Sequence, residues 1–376
     1  MTKMEIIPLK NLQADDKWGI ALDIGYSSVK LFSPNLVAVI PSYAKRISAP
    51  SFGRSADYAL LYTDAETNQQ WAVGQSAYDA LQTGDMTDSA SELYGRNHYF
   101  SPSFKVISET ALAIALRPNM FGDPGGKEIY IQTGLPSKYV EEDRKYITAA
   151  LAGRHRFSLR IGNGRTEDFD IEIMPENIDV IPQPAGTLYS ICYDESGKAV
   201  PEAEKYFTSS GLVMDPGFGT LDTFPINGRG NSYETYELGM KNVLEEAASA
   251  INSEYGINLS ITAMQKCLKE GCVRALDRAT LTSNEYPIGE ILNAANKKVC
   301  DAAIGQILNS YNYLMDYRYL VITGGTGDAW KDMIRDKLKN ISTLEVVDGN
   351  RNSSLPMLYS NVRGYYQYMI KRLAGN

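Results

Sequence analysis

Two short Asp-x-Gly turns, one in each half of the chain, constrain the fold more than any other feature. The first is Asp23-Ile24-Gly25-Tyr26-Ser27-Ser28-Val29-Lys30; the second is Asp215-Pro216-Gly217-Phe218-Gly219-Thr220-Leu221-Asp222. Each follows a short apolar run (Trp18 to Leu22, Leu212 to Met214) and precedes another (Val29 to Phe32, Thr223 to Ile226). That layout predicts strand, tight turn, strand, with a carboxylate leading into the turn. Glycine in such a turn lets backbone N–H groups converge on an anion with no Cβ in the way. A carboxylate beside a phosphate nest calls for a cation between them, and Mg²⁺ takes oxygen ligands. Two such hairpins imply an internal duplication that grips one polyphosphate from two sides.

Two further segments complete the pattern. Tyr319-Leu320-Val321-Ile322-Thr323-Gly324-Gly325-Thr326-Gly327 is an apolar strand running into glycines, with a helix expected from Asp328. Ile181-Pro182-Gln183-Pro184-Ala185-Gly186-Thr187 delivers a glutamine to the start of a helix between the two halves. In order and spacing, these segments resemble the phosphate-1, connect-1, phosphate-2 and adenosine motifs of the actin-like ATPase superfamily. Gln-Pro-Ala-Gly in connect-1 and the tail Asn361-Val362-Arg363-Gly364-Tyr365-Tyr366 look most like the ParM-type plasmid-segregation proteins.

The resemblance implies an α/β, two-lobed fold: duplicated mixed-sheet domains with helices on both faces and a nucleotide cleft between. Residues 1–190 with 355–376 would form domain I, with a small inserted subdomain at about 37–100, and 191–354 would form domain II. It also assigns roles. Asp23 and Asp215 would hold Mg²⁺. Gly25, Tyr26, Ser27, Gly217, Phe218, Gly219 and Thr220 would line the phosphates, with Lys30 as a point charge reaching them. Gln183 would orient the attacking water. Gly324, Gly325 and Thr326 would take the base and ribose of ATP or GTP, assisted by Lys269 and Glu270. Phe218 departs from the small or acidic residue of many relatives.

The implied activity is an ATPase, with GTP as the alternative nucleotide, coupled to head-to-tail polymerisation. Plasmid DNA would be segregated through a DNA-binding adaptor protein. The alternatives are another bacterial or archaeal actin-like cytoskeletal ATPase serving shape or organelle positioning, or a sugar-kinase-type phosphotransferase. No convincing Asp base for a sugar is evident. A peptide-binding domain of the chaperone type has no room, and a scaffold without hydrolysis fits poorly with Asp23, Lys30, Gln183 and Asp215 all present.

Composition agrees. With 376 residues, two domains are expected. Hydrophobic residues make up 44% and charged residues 22%, as in a globular protein. No run approaches the roughly 20 apolar residues of a membrane span, and Met1 to Lys17 has no signal-peptide pattern. A cytoplasmic protein without membrane attachment is expected. Cys192, Cys267, Cys272 and Cys300 lack metal-site spacing and read as buried reduced thiols. A net charge of −8 argues against direct DNA binding.

The 25 tyrosines suggest contact surfaces, with Tyr94, Tyr99, Tyr311, Tyr313 and Tyr317 placed outward, against the alternative of ordinary half-buried packing. Ala59–Tyr62 and Gln70–Val73 read as a hairpin of the small subdomain, and Phe157–Ile161 and Phe169–Met174 as paired strands. Helical periods cover 104–116, 141–151, 239–251, 288–313 and 328–340, and Ser260 caps a helix reaching Glu270. Lys30 is read as facing inward, with Val29 and Leu31 outward. The apolar stripe of 359–373 fits a helix packed on the first domain better than a membrane anchor.

Overall fold

The computed structural model describes residues 3–47, 59–79, 98–227, 233–277 and 281–375. The chain forms two compact units: Thr2–Thr208 with Gly349–Asn376, and Ser209–Asp348.

The first unit is built on a six-stranded mixed sheet. Its order is β1 (Glu5–Pro8), β4 (Leu36–Pro41), β3 (Ser28–Ser33), β2 (Lys17–Ile24), β8 (Glu128–Leu135) and β11 (Ile178–Pro182). The first four pair antiparallel, and β2, β8 and β11 run parallel. Side chains alternate across a strand, and here both faces are covered. Ile20, Leu22, Val29 and Leu31 enter a core with Ile107, Ala111 and Ile114 of helix α2 (Pro102–Ala115). Ala21, Phe32, Val37 and Val39 pack on the opposite side against Val362, Tyr365 and Met369 of the C-terminal helix α10 (Ser360–Leu373). Val29 and Leu31 are therefore core residues, 0% exposed, because a helix covers the face the sequence reading assigns to the outside. The tail stripe is buried as a packed helix. Beside α10 lies α4 (Gln183–Cys192), and α3 (Val140–Leu151) packs on β11.

A second, five-stranded antiparallel sheet in this unit has the order β10 (Thr166–Ile173), β9 (Gly153–Ile161), β6 (Leu60–Asp64), β7 (Gln70–Val73), β5 (Ala44–Arg46). The paired strands of residues 153–173 thus join the hairpin of residues 60–73, with Tyr62 opposite Leu159. Such long-range pairing leaves no mark in local periodicity. Glu109, fully buried on α2, ties the layer together: it accepts a hydrogen bond from the Tyr62 hydroxyl, and its Oε1 lies 2.9 Å from His155 Nδ1. Residues 48–58 and 80–97 of the inserted segment, Tyr94 among them, lie outside the described residues.

The second unit repeats the plan. Its sheet runs β14 (Thr235–Tyr236), β13 (Leu221–Ile226), β12 (Gly211–Pro216), β17 (Tyr319–Ile322), β18 (Glu345–Asp348). Again an antiparallel hairpin is followed by two parallel strands. Helices α6 (Met240–Tyr255), α7 (Ile261–Glu270), α8 (Gly289–Ser310) and α9 (Gly324–Leu338) complete it. The Ser260 hydroxyl caps α7 by accepting from Ala263 N at 3.1 Å. An exposed ribbon of β15 (Cys272–Asp277) and β16 (Thr282–Pro287) has no counterpart in the sequence reading.

Of the described tyrosines expected at the surface, Tyr99, Tyr311 and Tyr317 are buried and Tyr313 is well exposed. Their rings pack and their hydroxyls find partners, as with Tyr311 and Thr223 at 2.6 Å. Burial pushes the Cys192 and Cys300 thiols up to about 12, whereas Cys267 and Cys272 are only half-buried.

Candidate functional site

In the first unit the site begins at the end of β2. Asp23 is opposite Lys30 in the register of β2 with β3. The Lys30 ammonium donates to Asp23 Oδ2 at 3.1 Å, with side chains only 17% and 6% exposed. On the other side, Gln183 Nε2 donates to Asp23 Oδ1 at 3.4 Å. This meeting across 160 residues follows from sheet order. Strands β2, β8 and β11 run parallel, so the C-terminal ends of β2 and β11 emerge at the same edge, about 10 Å apart across β8. Gln183 opens α4 directly after β11. The sequence-predicted residues Asp23, Lys30 and Gln183 are thus brought together.

The turn itself is laced from below. Gly25 N donates to Ser28 O at 3.2 Å, so this expected phosphate donor is spent inside the hairpin. A Cβ at Gly25 would lie 3.3 Å from Lys30 Nζ. Ser42, buried just after β4, donates its amide to Ser27 O at 3.1 Å and its hydroxyl to Gly25 O at 2.7 Å. Sequence reasoning missed Ser42; the Pro41-Ser42 step ending an apolar strand is the only local signal. With the carbonyls held from behind, the half-buried Tyr26 and Ser27 complete the loop. The Tyr26 ring stands 6.0 Å from His98.

The second unit holds the matching turn. Asp215, 7% exposed, is opposite Asp222 across β12 and β13. Gly217 N closes the turn on Thr220 O at 2.7 Å. Asp222 is clasped by the hydroxyls of Thr220 at 3.0 Å and Thr235 at 2.5 Å, a role the sequence did not suggest. The first amides of α6 are also occupied: Met240 N donates to Gly217 O at 3.2 Å and Lys241 N to Phe218 O at 2.7 Å. Such close approach requires glycine at 239, where a Cβ would stand 2.5 Å from Phe218 O. Phe218 and Gly219 are half-buried at the tip.

The glycine segment meets this turn directly. Thr326 Oγ1 donates to Gly217 O at 2.8 Å. Gly324 has φ +79°, and a Cβ there would stand 2.5 Å from Asp215 Oδ1. Backbone conformation and space both demand glycine there. Gly325 follows, exposed, in the first turn of α9. Asp215, Gly217, Thr220, Gly324 and Thr326 therefore form one constellation. Lys269 and Glu270 are exposed at the end of α7, where Glu270 pairs with Arg274 of β15 at 3.5 Å.

The donor chemistry suits Mg²⁺. Asp23 in the first unit and Asp215 in the second each offer a buried, hard carboxylate. Among the described residues no group of three or more His, Cys, Asp or Glu side chains forms a metal cage. An all-protein cage is not what Mg²⁺ needs, because it keeps several waters and binds through one or two carboxylates together with phosphates. No helix among the described residues is long and apolar enough to cross a membrane.

The solved structure of a 15-stranded ParM filament from Clostridium botulinum is similar, with a TM-score of 0.70, 19% identity and coverage of 94% of this chain and 99% of the other. Residues 21–186 match the family model of the actin-like proteins N-terminal domain. The fold is actin-like. The actin-like protein Alp7A has a TM-score of 0.64 at 15% identity, covering 96% of this chain and 97% of its own. An archaeal actin homologue in complex with ADP has a TM-score of 0.60 at 14% identity, covering 93% and 98%. A comparison with curated proteins found no match. At these identities the structural likeness establishes the actin-like two-domain fold, and the family match falls on the unit that carries Asp23, Lys30 and Gln183.

Proposed function

We propose that this actin-like chain binds and hydrolyses a purine nucleoside triphosphate with Mg²⁺, and that the bound nucleotide governs head-to-tail assembly into cytoplasmic filaments. The observation that carries the reading is the Asp23 carboxylate, held by Lys30 on one oxygen and Gln183 on the other. A buried carboxylate, a lysine point charge and a neutral amide are the parts that phosphoryl transfer uses.

Each residue has a task. Asp23 and Asp215 would hold Mg²⁺ through its waters, and the bound ion would neutralise phosphate charge. The N–H groups of Tyr26, Ser27, Phe218, Gly219 and Thr220 would face phosphate oxygens, while those of Gly25 and Gly217 close their turns. Gln183 cannot take a proton at neutral pH; its amide orients the attacking water. That suits a loose transition state, in which positioning outweighs proton abstraction. Gly324, Gly325 and Thr326 would admit the nucleoside beside Asp215, with Lys269 and Glu270 as a weaker contact.

Assembly follows from a heterologous, head-to-tail contact that propagates rather than closes. The filament of the similar ParM protein supports this reading. Segregation of plasmid DNA through a basic adaptor is the specific role we infer, since an acidic chain is a poor partner for DNA.

Phosphate release and pelleting with ATP, GTP or neither, followed by negative-stain microscopy, test the proposal. Light scattering should rise above a threshold protein concentration with Mg-nucleotide, decay as the nucleotide is hydrolysed, and persist with a non-hydrolysable analogue. A chain that neither releases phosphate nor pellets with any purine triphosphate would refute it.

A further inference from the structure

The tail motif Asn361-Val362-Arg363-Gly364-Tyr365-Tyr366 has no task in the chemistry above, yet its side chains hold the helix that carries Gln183. Helices α4 and α10 cross at Gly186 and Gly364. A Cβ on Gly364 would fall 1.6 Å from Gly186 O, and one on Gly186 would fall 2.5 Å from Asn361 O. No side chain fits at either position, so the two backbones touch.

The Tyr365 ring occupies a slot made by glycines of two other elements. A Cβ on Gly186 would lie 2.5 Å from its Cε1, and one on Gly134 of β8 would lie 2.0 Å from its hydroxyl oxygen. From this slot the Tyr365 hydroxyl donates to the backbone carbonyl of Gln183 at 3.3 Å. One turn further along α4, Thr187 Oγ1 donates to Asn361 Oδ1 at 2.6 Å. At the far end, the buried Arg363 guanidinium donates to Ser190 O at 2.6 Å and to Tyr193 O at 3.0 Å, satisfying carbonyls that the helix terminus leaves open. Helix α4 is therefore fixed at its start, its middle and its end by one short stretch of α10. Nothing in its own sequence caps its N-terminus, where Pro182 precedes Gln183.

We propose that the C-terminal helix is the mount for Gln183, with Tyr365 as a positioning residue that sets the amide against Asp23 without touching nucleotide. This rests on the hydrolysis proposed above. The Gln183–Asp23 contact is long, 3.4 Å, so the amide is held mainly by its backbone. A hydrogen bond to the Gln183 carbonyl acts on that backbone directly. Misplacement of an orienting group by a fraction of an ångström reduces turnover while leaving phosphate binding intact.

The test compares the wild-type chain, Tyr365→Phe, Gln183→Ala and the double variant at equal protein concentrations above and below the assembly threshold, by phosphate release and nucleotide titration. Tyr365→Phe keeps the ring and removes only the hydroxyl, and thermal melting should confirm that the fold is retained. The expected result is a kcat lowered about three- to tenfold at unchanged KM in Tyr365→Phe, and no further loss when it is added to Gln183→Ala. Wild-type kcat in Tyr365→Phe would overturn the proposal, as would multiplicative losses in the double variant, because a general structural defect adds to the loss of Gln183. A wild-type chain that binds nucleotide and releases no phosphate would instead remove the hydrolysis reading, and the positioning role with it.

Discussion

Lys30 and Asp23 face each other across the first hairpin, and the ammonium lies 3.1 Å from the carboxylate. The pair is nearly removed from solvent, at 17% and 6% side-chain exposure, so each charge depends on the other. Lys30→Met should therefore lower stability by about 1.5–3 kcal/mol, the scale of a hydrogen bond to a charged group. It should also weaken nucleotide binding at least tenfold, because the phosphates lose a point charge. Denaturant unfolding and nucleotide titration read the two effects separately. Unchanged values for both would show that the pair is a bystander.

Gln183 is the next test. In Gln183→Ala, nucleotide should still bind while hydrolysis slows by about tenfold to a thousandfold, the range for loss of one positioning or stabilising group. Asp215→Ala should abolish Mg²⁺-dependent turnover altogether. Phosphate release measured on both variants decides the matter, and wild-type turnover in Gln183→Ala would remove that residue from the mechanism.

The two hairpins were legible because apolar alternation and Asp-x-Gly turns are local signals. The strand-to-helix junction at Gln183 was legible, but its role came from the resemblance. What the sequence hid is long-range. Ser42 lies far along the chain from the carbonyls it holds, and β9 finds β6 across about ninety residues. The ribbon of β15 and β16 escaped because its described residues are mostly exposed, with Val273 the buried exception. Tyr99, Tyr311 and Tyr317 were misplaced because tyrosine composition says nothing about which ring is covered.

Gly324 offers a sharper experiment. Its φ of +79° and the 2.5 Å approach to Asp215 Oδ1 both oppose a side chain. Gly256 is the control, since its φ is +70° and nothing lies within 4 Å of a Cβ there. Gly256→Ala should cost only the left-handed backbone, about 1–2 kcal/mol. Gly324→Ala should cost more than that and also reduce Mg²⁺-nucleotide affinity, because Asp215 must move. Equal stability losses and unaltered affinity in both would detach Gly324 from the site.

Acid stability should carry the mark of Asp64. Burial alone would raise its pKa, but Lys105 Nζ at 2.7 Å and the amide and hydroxyl of Thr67, each at 2.9 Å, outweigh it and hold the carboxyl down to about 2. A depressed carboxylate stabilises the fold above its unfolded pKa, near 4, and that contribution disappears as pH falls towards 2. Lys105 is half exposed, so screening keeps the effect near about 1 kcal/mol. Asp64→Asn should lower the melting temperature at pH 7 and flatten its dependence between about pH 4 and 2. An unaltered profile would show that another group governs the acid limb.

The last prediction concerns cargo. Direct binding to DNA draws its free energy from counterions released when lysines and arginines meet phosphates. This chain has 45 acidic residues against 37 basic ones, so it lacks that source in its net charge. Under the proposed segregation role, attachment to a plasmid would come from a separate basic protein, whose repeated copies on neighbouring DNA sites would add weak contacts by avidity. Gel shifts and co-pelleting with the purified chain alone, with and without nucleotide, should show no tight complex at physiological salt. Adding the adaptor should bring DNA into the pellet only when filaments are present. Sequence-specific DNA binding by the chain alone would contradict the adaptor scheme, and it would require a basic surface that the net charge gives no reason to expect.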